Sequence, residues 1–144
     1  MKEVVTMLDS TDQRIIEELS RNGRVSMKEL GQKIHMTGQA TANRVQKLED
    51  EGVIEHYTIQ LNQAKAGYPV QAFIQIYTKQ PDHRPFLSFV ETQQTYVLHN
   101  YKISGECCYM MECRFSSNEE LDAFLVELNQ YANYRLSIVI KKNP

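Results

Sequence analysis

"MTGQATANRVQKLEDEGVI", residues 36–54, has the spacing of an amphipathic helix followed by a stop. At about 100° per residue, one side is predicted to face a core and carries Thr41, Ala42, Val45 and Leu48. The opposite side is predicted to face outward and carries Gln39, Ala40, Asn43, Arg44 and Lys47. No Asp or Glu lies between Glu29 and Glu49. This stretch therefore predicts a helix with an acid-free polar face.

Two shorter helices are predicted before it. The first begins at Asp9 or Ser10, both good N-caps, and the second begins at Ser26, which forms a capping box with Glu29. A turn of a few residues at Met36 follows, and Thr37 is predicted to cap the third helix. Two helices joined by a tight turn, with a supporting helix before them, indicate a helix-turn-helix.

The chemistry of the outward face suits the major groove of duplex DNA. Asn and Gln side chains bond adenine, Arg bonds guanine or phosphate, and Lys bonds phosphate, whereas the DNA backbone repels carboxylates. The alternative is an ordinary solvated face on a three-helix domain. We predict double-stranded DNA as the partner of this helix.

Composition sets broad limits on the class of protein. The chain has 144 residues, 42% hydrophobic and 24% charged, with a net charge of −2 that does not indicate a general polyanion binder. The N-terminus has no long apolar run, so we predict no signal peptide, no membrane span and a cytoplasmic location. Three cysteines within seven positions, Cys107, Cys108 and Cys113, lack the spacing of zinc sites. We expect no metal and no cofactor.

The second half of the chain has a different pattern. After the helix-turn-helix domain (1–52), residues 53–67 are predicted to form a linking strand and a linker. From residue 68 to 144 the order is strand, helix, strand, strand, helix, strand, with strands over 69–78, 96–103, 108–115 and 134–142. This order predicts a ferredoxin-like βαββαβ domain, an antiparallel sheet with both helices on one face. The last strand is predicted to turn Leu136, Ile138 and Ile140 inward. The fold class is therefore α+β.

One face of such a sheet has no helices over it. The strand patterns place an apolar set on it: Phe73, Tyr77, Tyr109, Met111, Cys113 and Phe115, or the opposite set if the register differs. Because an apolar area of that size is unfavourable in water, we predict that a second copy covers it and the chain is a homodimer. Packing against the helical half of the same chain is the alternative.

With both halves in view, the chain resembles the Lrp/AsnC family of bacterial and archaeal transcription regulators. The resemblance runs along the whole length, through "LDSTDQRIIEEL", "RVSMKELGQKIHMT", "NRVQKLEDEGVI" and "YKISGECCYMMECRF". It implies an N-terminal (winged) helix-turn-helix, a C-terminal domain that dimerises through its sheet, and assembly into tetramers or octamers that wrap DNA. By matching positions, the DNA-binding residues are Thr37, Gln39, Ala40, Asn43, Arg44 and Lys47. The resemblance also implies an effector pocket edged by Ser104, Gly105, Glu106 and Cys108.

The hairpin of the sheet departs from the family pattern. Members that bind amino acids commonly have Gly-x-x-Asp there, whereas this chain reads "GECCY", with Cys108 in place of the Asp. Glu106, placed on the same strand face as Cys108, is the other side chain able to supply the charge. We therefore expect weak or no response to amino acids, as in the LrpC-like members that mainly organise DNA. An amino-acid-responsive regulator is the alternative.

An enzyme is an alternative of another class. Sirohaem decarboxylases look like the same two-part architecture, so the fold does not decide between regulator and catalyst. Such an enzyme would need His and Arg side chains for the carboxylates of a tetrapyrrole, and the candidates are His83, Arg84 and His99. The acid-free face of the third helix favours the regulator.

Overall fold

A computed structural model describes residues 7–144 of the chain. It divides into two compact units, one ending at Gln60 and the other beginning at Leu61. This division falls within the predicted linking segment, residues 53–67. The first six residues of the predicted helix-turn-helix domain lie outside the described residues. No helix among residues 7–144 has the length and apolar character needed to cross a bilayer.

The N-terminal unit consists of three helices, α1 (Ser10–Arg21), α2 (Met27–Ile34) and α3 (Gly38–Asp50). Each begins at a side-chain cap, because Asp9, Ser26 and Thr37 accept hydrogen bonds from backbone N–H groups of the first turn. The helices enclose a small core made of Ile15, Val25, Leu30, Ile34, Val45 and Leu48. The predicted helix-turn-helix is confirmed, including its three N-caps. At Ser26, however, only the bond from the Glu29 N–H forms among the described residues, so the predicted capping box is incomplete.

The turn between α2 and α3 brings the two helices into close contact. His35 ends α2 in the left-handed conformation with φ of 59°, and the N–H of Met36 donates to the Gly31 carbonyl at 2.8 Å. A Cβ atom on Gly31 would lie 2.6 Å from the Met36 carbonyl oxygen and 2.9 Å from Thr41 Oγ1. Since no side chain fits there, only glycine allows α3 to pack this close to α2.

The end of α3 differs from the prediction. Gly52 has φ of 73° and ends the helix, as expected, and the N–H groups of Val53 and Ile54 donate to the Leu48 carbonyl. Residues 55–62 form no strand, although a linking strand is predicted there. A strand needs a neighbour for its backbone groups, and the single chain offers none in this segment. Ile59 is 76% exposed as a result.

The C-terminal unit is a four-stranded antiparallel sheet with two helices. In chain order the elements are β1 (Val70–Thr78), α4 (Arg84–Glu91), β2 (Val97–Lys102), β3 (Tyr109–Phe115), α5 (Asn118–Leu128) and β4 (Ala132–Ile138). The strand order is β2-β3-β1-β4. The predicted ferredoxin-like domain and the α+β class are confirmed.

Strand register shows which residues the helices cover. Ala72 lies opposite Cys113, Ile74 opposite Met111 and Ile76 opposite Tyr109. These side chains form one core with residues of α4 and α5: Phe86, Phe89, Leu121, Phe124 and Leu128. The prediction that Tyr109, Met111, Cys113 and Phe115 share the uncovered face with Phe73 and Tyr77 is therefore wrong.

The uncovered face is mixed in character. Phe73 lies opposite Glu112, and Gln75 lies opposite Met110. Phe73 is 43% exposed and Tyr101 is 54% exposed. Charged groups lie among these apolar ones, as His99 contacts Glu112 at 3.0 Å. The face is less apolar than predicted, because side chains alternate between the two faces along each strand. The apolar side chains of β3 lie on the face that the helices cover.

β4 begins earlier than predicted, at Ala132, which is fully buried. Leu136 and Ile138 lie opposite Ile74 and Ala72, so they are on the predicted face. They are nevertheless exposed, and Ile140 lies beyond the strand and is 99% exposed. The predicted inward direction is thus confirmed for Leu136 and Ile138 and wrong for Ile140, and the exposure of all three follows because β4 is an edge strand whose end is not covered.

We expect Gly31→Ala to destabilise the N-terminal unit by about 1–3 kcal/mol, since the new methyl group overlaps the Met36 carbonyl. The matched control is Gly38→Ala, where the nearest atom, Lys28 Cα, lies at 3.5 Å in ordinary contact. Thermal unfolding of the full chain by far-ultraviolet circular dichroism measures the difference. Equal stability of the two variants would contradict the close packing at Gly31.

Candidate nucleic-acid interface and effector loop

The exposed face of α3 carries three of the predicted DNA-binding side chains. Gln39, Asn43 and Lys47 are exposed, and Gln39 Nε2 donates to Asn43 Oδ1 at 3.0 Å. Helical spacing of four residues places the three in one row along the helix. The row offers two amide groups and an ammonium, a set that can bond base edges and a phosphate.

Thr37 and Ala40 belong to the start of the helix. Thr37 Oγ1 accepts from the Ala40 N–H at 3.1 Å, and the Thr37 carbonyl accepts from the buried Thr41 hydroxyl at 2.8 Å. Thr41 is completely buried, and this bond satisfies its hydroxyl. These contacts fix where α3 begins and hence which side chains form the exposed row.

Arg44 differs from the other predicted DNA-binding residues. Its guanidinium donates to the Asp9 carboxylate and, at 3.2 Å, to Asp12 Oδ1. The bond from Arg44, with the backbone bond from Asp12, holds the pKa of the Asp9 carboxyl below its usual range. The acid-free face of the sequence is thus not acid-free in the fold, because α1 brings two carboxylates to it.

Acidic groups mark the C-terminal end of α3. Lys47 Nζ lies 3.9 Å from Glu51 Oε1, and the Tyr57 hydroxyl donates to Glu49 Oε1 at 2.6 Å. Desolvation and the neighbouring Glu49 carboxylate raise the pKa of Tyr57 to about 12. The N-terminal part of α3, in contrast, has no acidic residue in its first turn.

Two basic residues close to the start of α2 were not among the DNA-binding residues predicted from the sequence. Arg24 and Lys28 are exposed and form no ion pair with any of residues 7–144. Lys28 lies beside the start of α3, since its Cα is 3.5 Å from the position of a Cβ on Gly38. Lys28 could have been identified from the sequence, because it is a basic residue in the first turn of the helix that precedes α3.

The predicted effector residues lie in the loop between β2 and β3. Ser104, Gly105 and Glu106 are exposed, and Gly105 has φ of 112°. Glu106 lies in this loop and not in a strand, so the argument that places it on the same strand face as Cys108 is wrong. Cys108 is half-buried just before β3.

The thiol of Cys108 is not an ordinary one. Its Sγ lies 3.4 Å from Thr78 Oγ1, and hydrogen bonds from Thr78 lower the pKa of Cys108, with a smaller contribution from Lys102. Burial has the opposite effect on Cys113 and raises its pKa to about 12. Cys108 therefore has more thiolate character than an ordinary cysteine side chain.

The three candidates for a tetrapyrrole site do not come together. His83 bonds Thr78 Oγ1 and the Tyr109 hydroxyl, both at 3.0 Å. Arg84 forms two bonds of 2.9 Å with Asp82, whereas His99 lies on the uncovered face of the sheet. Among residues 7–144, no three His, Cys, Asp or Glu side chains are grouped as metal ligands would be.

Comparison with known proteins is consistent along the chain. Residues 8–55 match a winged helix-turn-helix DNA-binding model, and residues 71–143 match the Lrp/AsnC ligand binding domain. The HTH-type transcriptional regulator LrpA of Bacillus subtilis is 52% identical over 94% of this chain and 100% of its own length.

Solved structures of similar proteins agree with these sequence comparisons. LrpC of B. subtilis superposes with a TM-score of 0.91 at 32% identity, covering 96% of this chain and 99% of that one. A transcriptional regulator of Neisseria meningitidis, solved as a complex with L-Met, has a TM-score of 0.86 at 26% identity over 94% of this chain and 92% of that one. The sequence resemblance is thus confirmed, and the chain belongs to the Lrp/AsnC family of HTH-type transcriptional regulators.

Proposed function

We propose that this DNA-binding regulator reads double-stranded DNA with the exposed row of α3, placed in the major groove. The observation that carries the proposal is the row itself, in which Gln39, Asn43 and Lys47 are exposed on a helix whose other side is buried. The two amides supply base contacts and Lys47 supplies a phosphate contact.

Phosphate contacts extend the surface toward α2. Arg24 and Lys28 have no competing carboxylate among the described residues, and Lys28 lies next to the start of α3. Two or three phosphates per protomer give a salt dependence with a slope of log affinity on log salt of about −4 to −5 per dimer. In this proposal the protein binds DNA in the cytoplasm, at the nucleoid.

The working form in this proposal is a homodimer built through the uncovered face of the sheet, with dimers assembling into tetramers or octamers that can wrap DNA. Support comes from the exposed Phe73 and Tyr101 and from the contact between His99 and the Glu112 carboxylate among them. A mixture of aromatic and charged groups is common in protein interfaces. The larger assemblies rest on the family resemblance.

The proposal includes a weak or absent amino-acid response. A bound amino acid presents an ammonium group, whose desolvation without a counter-charge costs several kcal/mol. Cys108 replaces the expected Asp, and Glu106 is exposed in a loop. The family's ligand-binding domain and the relative solved with L-Met favour the alternative, an amino-acid-responsive regulator. No observation of comparable weight favours an enzyme.

For the DNA surface, we expect Lys47→Ala to weaken binding to all duplexes alike and to reduce the salt slope by about 2 per dimer, since it removes one phosphate contact from each protomer. Asn43→Ala should cost about 1–3 kcal/mol and relax preference at one base pair. Fluorescence anisotropy over a salt series measures both, with Lys65→Ala as the matched control for loss of one exposed lysine. Affinity and slope unchanged in a Lys47→Ala/Asn43→Ala double variant would contradict the proposed surface.

For the dimer, we expect Phe73→Asp in the full chain to give monomers, because it places an unpaired carboxylate in the contact. The matched control is Val126→Asp, which changes an equally apolar residue on α5 that is 63% exposed. Light scattering gives the molar mass of each. A Phe73→Asp protein that remains a dimer, with the control also dimeric, would show that the uncovered face is not the interface.

For the effector, we expect calorimetry against the common amino acids to show no binding at micromolar affinity, about −8 kcal/mol. Cys108→Asp supplies a full charge and should create or strengthen binding, whereas Cys108→Ser should not. Micromolar binding by the wild type would contradict the proposal. Loss of that binding in Glu106→Gln would then assign the charge to Glu106, and strengthening with rising pH would assign it to the Cys108 thiolate, whose pKa is lowered by Thr78.

A further inference from the structure

The polar contact between α1 and α3 is concentrated in one place. Among the described residues, the only side-chain hydrogen bonds that join these two helices are those from Arg44 to Asp9 and Asp12. The pair of carboxylates at the start of α1 and the Arg44 guanidinium are called the α1–α3 bridge below. All other bonds from α1 to another helix go to α2, through Arg14 and Glu18.

The two carboxylates of the bridge are held in place by bonds within α1 that do not involve Arg44. Asp9 Oδ1 accepts from the Asp12 N–H at 2.8 Å, and Asp12 Oδ2 accepts from the Asp9 N–H at 3.2 Å. These two bonds form the capping box that starts α1. The remaining oxygen of each carboxylate accepts from Arg44, so all four oxygens have partners. The guanidinium is thus held at a site whose geometry the backbone of α1 determines.

Asp12 is the most enclosed side chain of the bridge. Arg44 and Asp12 have side chains that are 36% and 14% exposed, and Asp9 is 51% exposed. A DNA phosphate that took over Arg44 would leave two fixed carboxylates without a cation beside a polyanion. That exchange is unfavourable, because like charges at such distances repel. Lys47, whose side chain is 70% exposed and 3.9 Å from one carboxylate, has no comparable attachment.

We propose that Arg44 is a positioning residue that sets the angle of α3 on α1, and not a residue that reads bases. This inference rests on the proposed DNA-binding function and changes the role assigned to one predicted contact. The bridge couples the first turn of α1 to the middle of the recognition helix, so a change of charge at Asp9 or Asp12 alters the presentation of Gln39 and Asn43.

Charge-neutral variants on α1 provide the test, because the two possible roles of Arg44 predict opposite signs. The variants are Asp9→Asn and Asp12→Asn, with Arg44→Ala on the other side of the bridge. Asn is as good an N-cap as Asp, so Asp9→Asn keeps the cap and removes the charge. The matched control is Glu17→Gln, which removes one acidic group of α1 that is exposed and forms no described ion pair. Affinity and salt slope are measured by anisotropy with the full chain, and thermal unfolding is recorded for each variant.

If Arg44 positions α3, we expect Asp9→Asn and Asp12→Asn to weaken specific DNA binding about three- to tenfold relative to Glu17→Gln, despite the lost negative charge. Arg44→Ala should weaken specific binding to a similar extent with the salt slope of the wild type, whereas Lys47→Ala lowers the slope by about 2 per dimer. The Arg44→Ala/Asp12→Asn double variant should be no weaker than Arg44→Ala alone, because both changes break the same bridge.

Tighter binding by Asp9→Asn and Asp12→Asn, with a salt slope reduced by about 2 per dimer in Arg44→Ala, would overturn the proposal and make Arg44 a direct DNA contact. Lower thermal stability with unchanged affinity would overturn it as well, since the bridge would then stabilise the unit without positioning α3. A wild-type protein that binds no duplex DNA would overturn the proposed function itself, a result distinct from either of these.

Discussion

The close approach of α2 and α3 at Gly31 is the constraint on which the N-terminal unit depends. Thr41, fully buried at this contact, lies against Gly31 and bonds the Thr37 carbonyl. That bond and the N-cap at Thr37 fix the first turn of α3. The rotation of α3 about its axis then follows, and with it the choice of side chains that face outward. The identity of the exposed side chains on α3 therefore depends on how Gly31 and Thr41 pack.

The helices and most strands could be predicted because their signals are local. Caps at Asp9, Ser26 and Thr37 and the alternation in β1 depend on residues close in sequence, and these predictions are confirmed. The face of β3 could not be predicted in the same way. Its apolar residues alternate clearly, but only pairing with β1, which places Met111 opposite Ile74 and Glu112 opposite Phe73, decides which face of the sheet they share.

The role of Arg44 shows a second limit of sequence reasoning. The residue lies on a polar helical face, which is the correct local description, but its partners are more than thirty positions away in the chain. The sequence around Arg44 contains no carboxylate close by on the same face, but in the folded protein Asp9 and Asp12 lie beside it. The same holds for Cys108, where Thr78, thirty positions away, changes the acidity of the thiol. Interactions of this range depend on tertiary structure, and spacing in the sequence does not report them.

The segment of residues 55–62, which forms no strand in the single chain, has a consequence for the geometry of DNA recognition. At about 3.3–3.6 Å per residue, this stretch spans at most about 26–29 Å when extended. Successive major-groove faces on one side of a duplex are about 34–36 Å apart. In the homodimer proposed above, two such tethers, one from each protomer, would limit how far the recognition helices can separate. The tolerated spacing between two operator half-sites would then depend on tether length as well as on the proposed sheet contact.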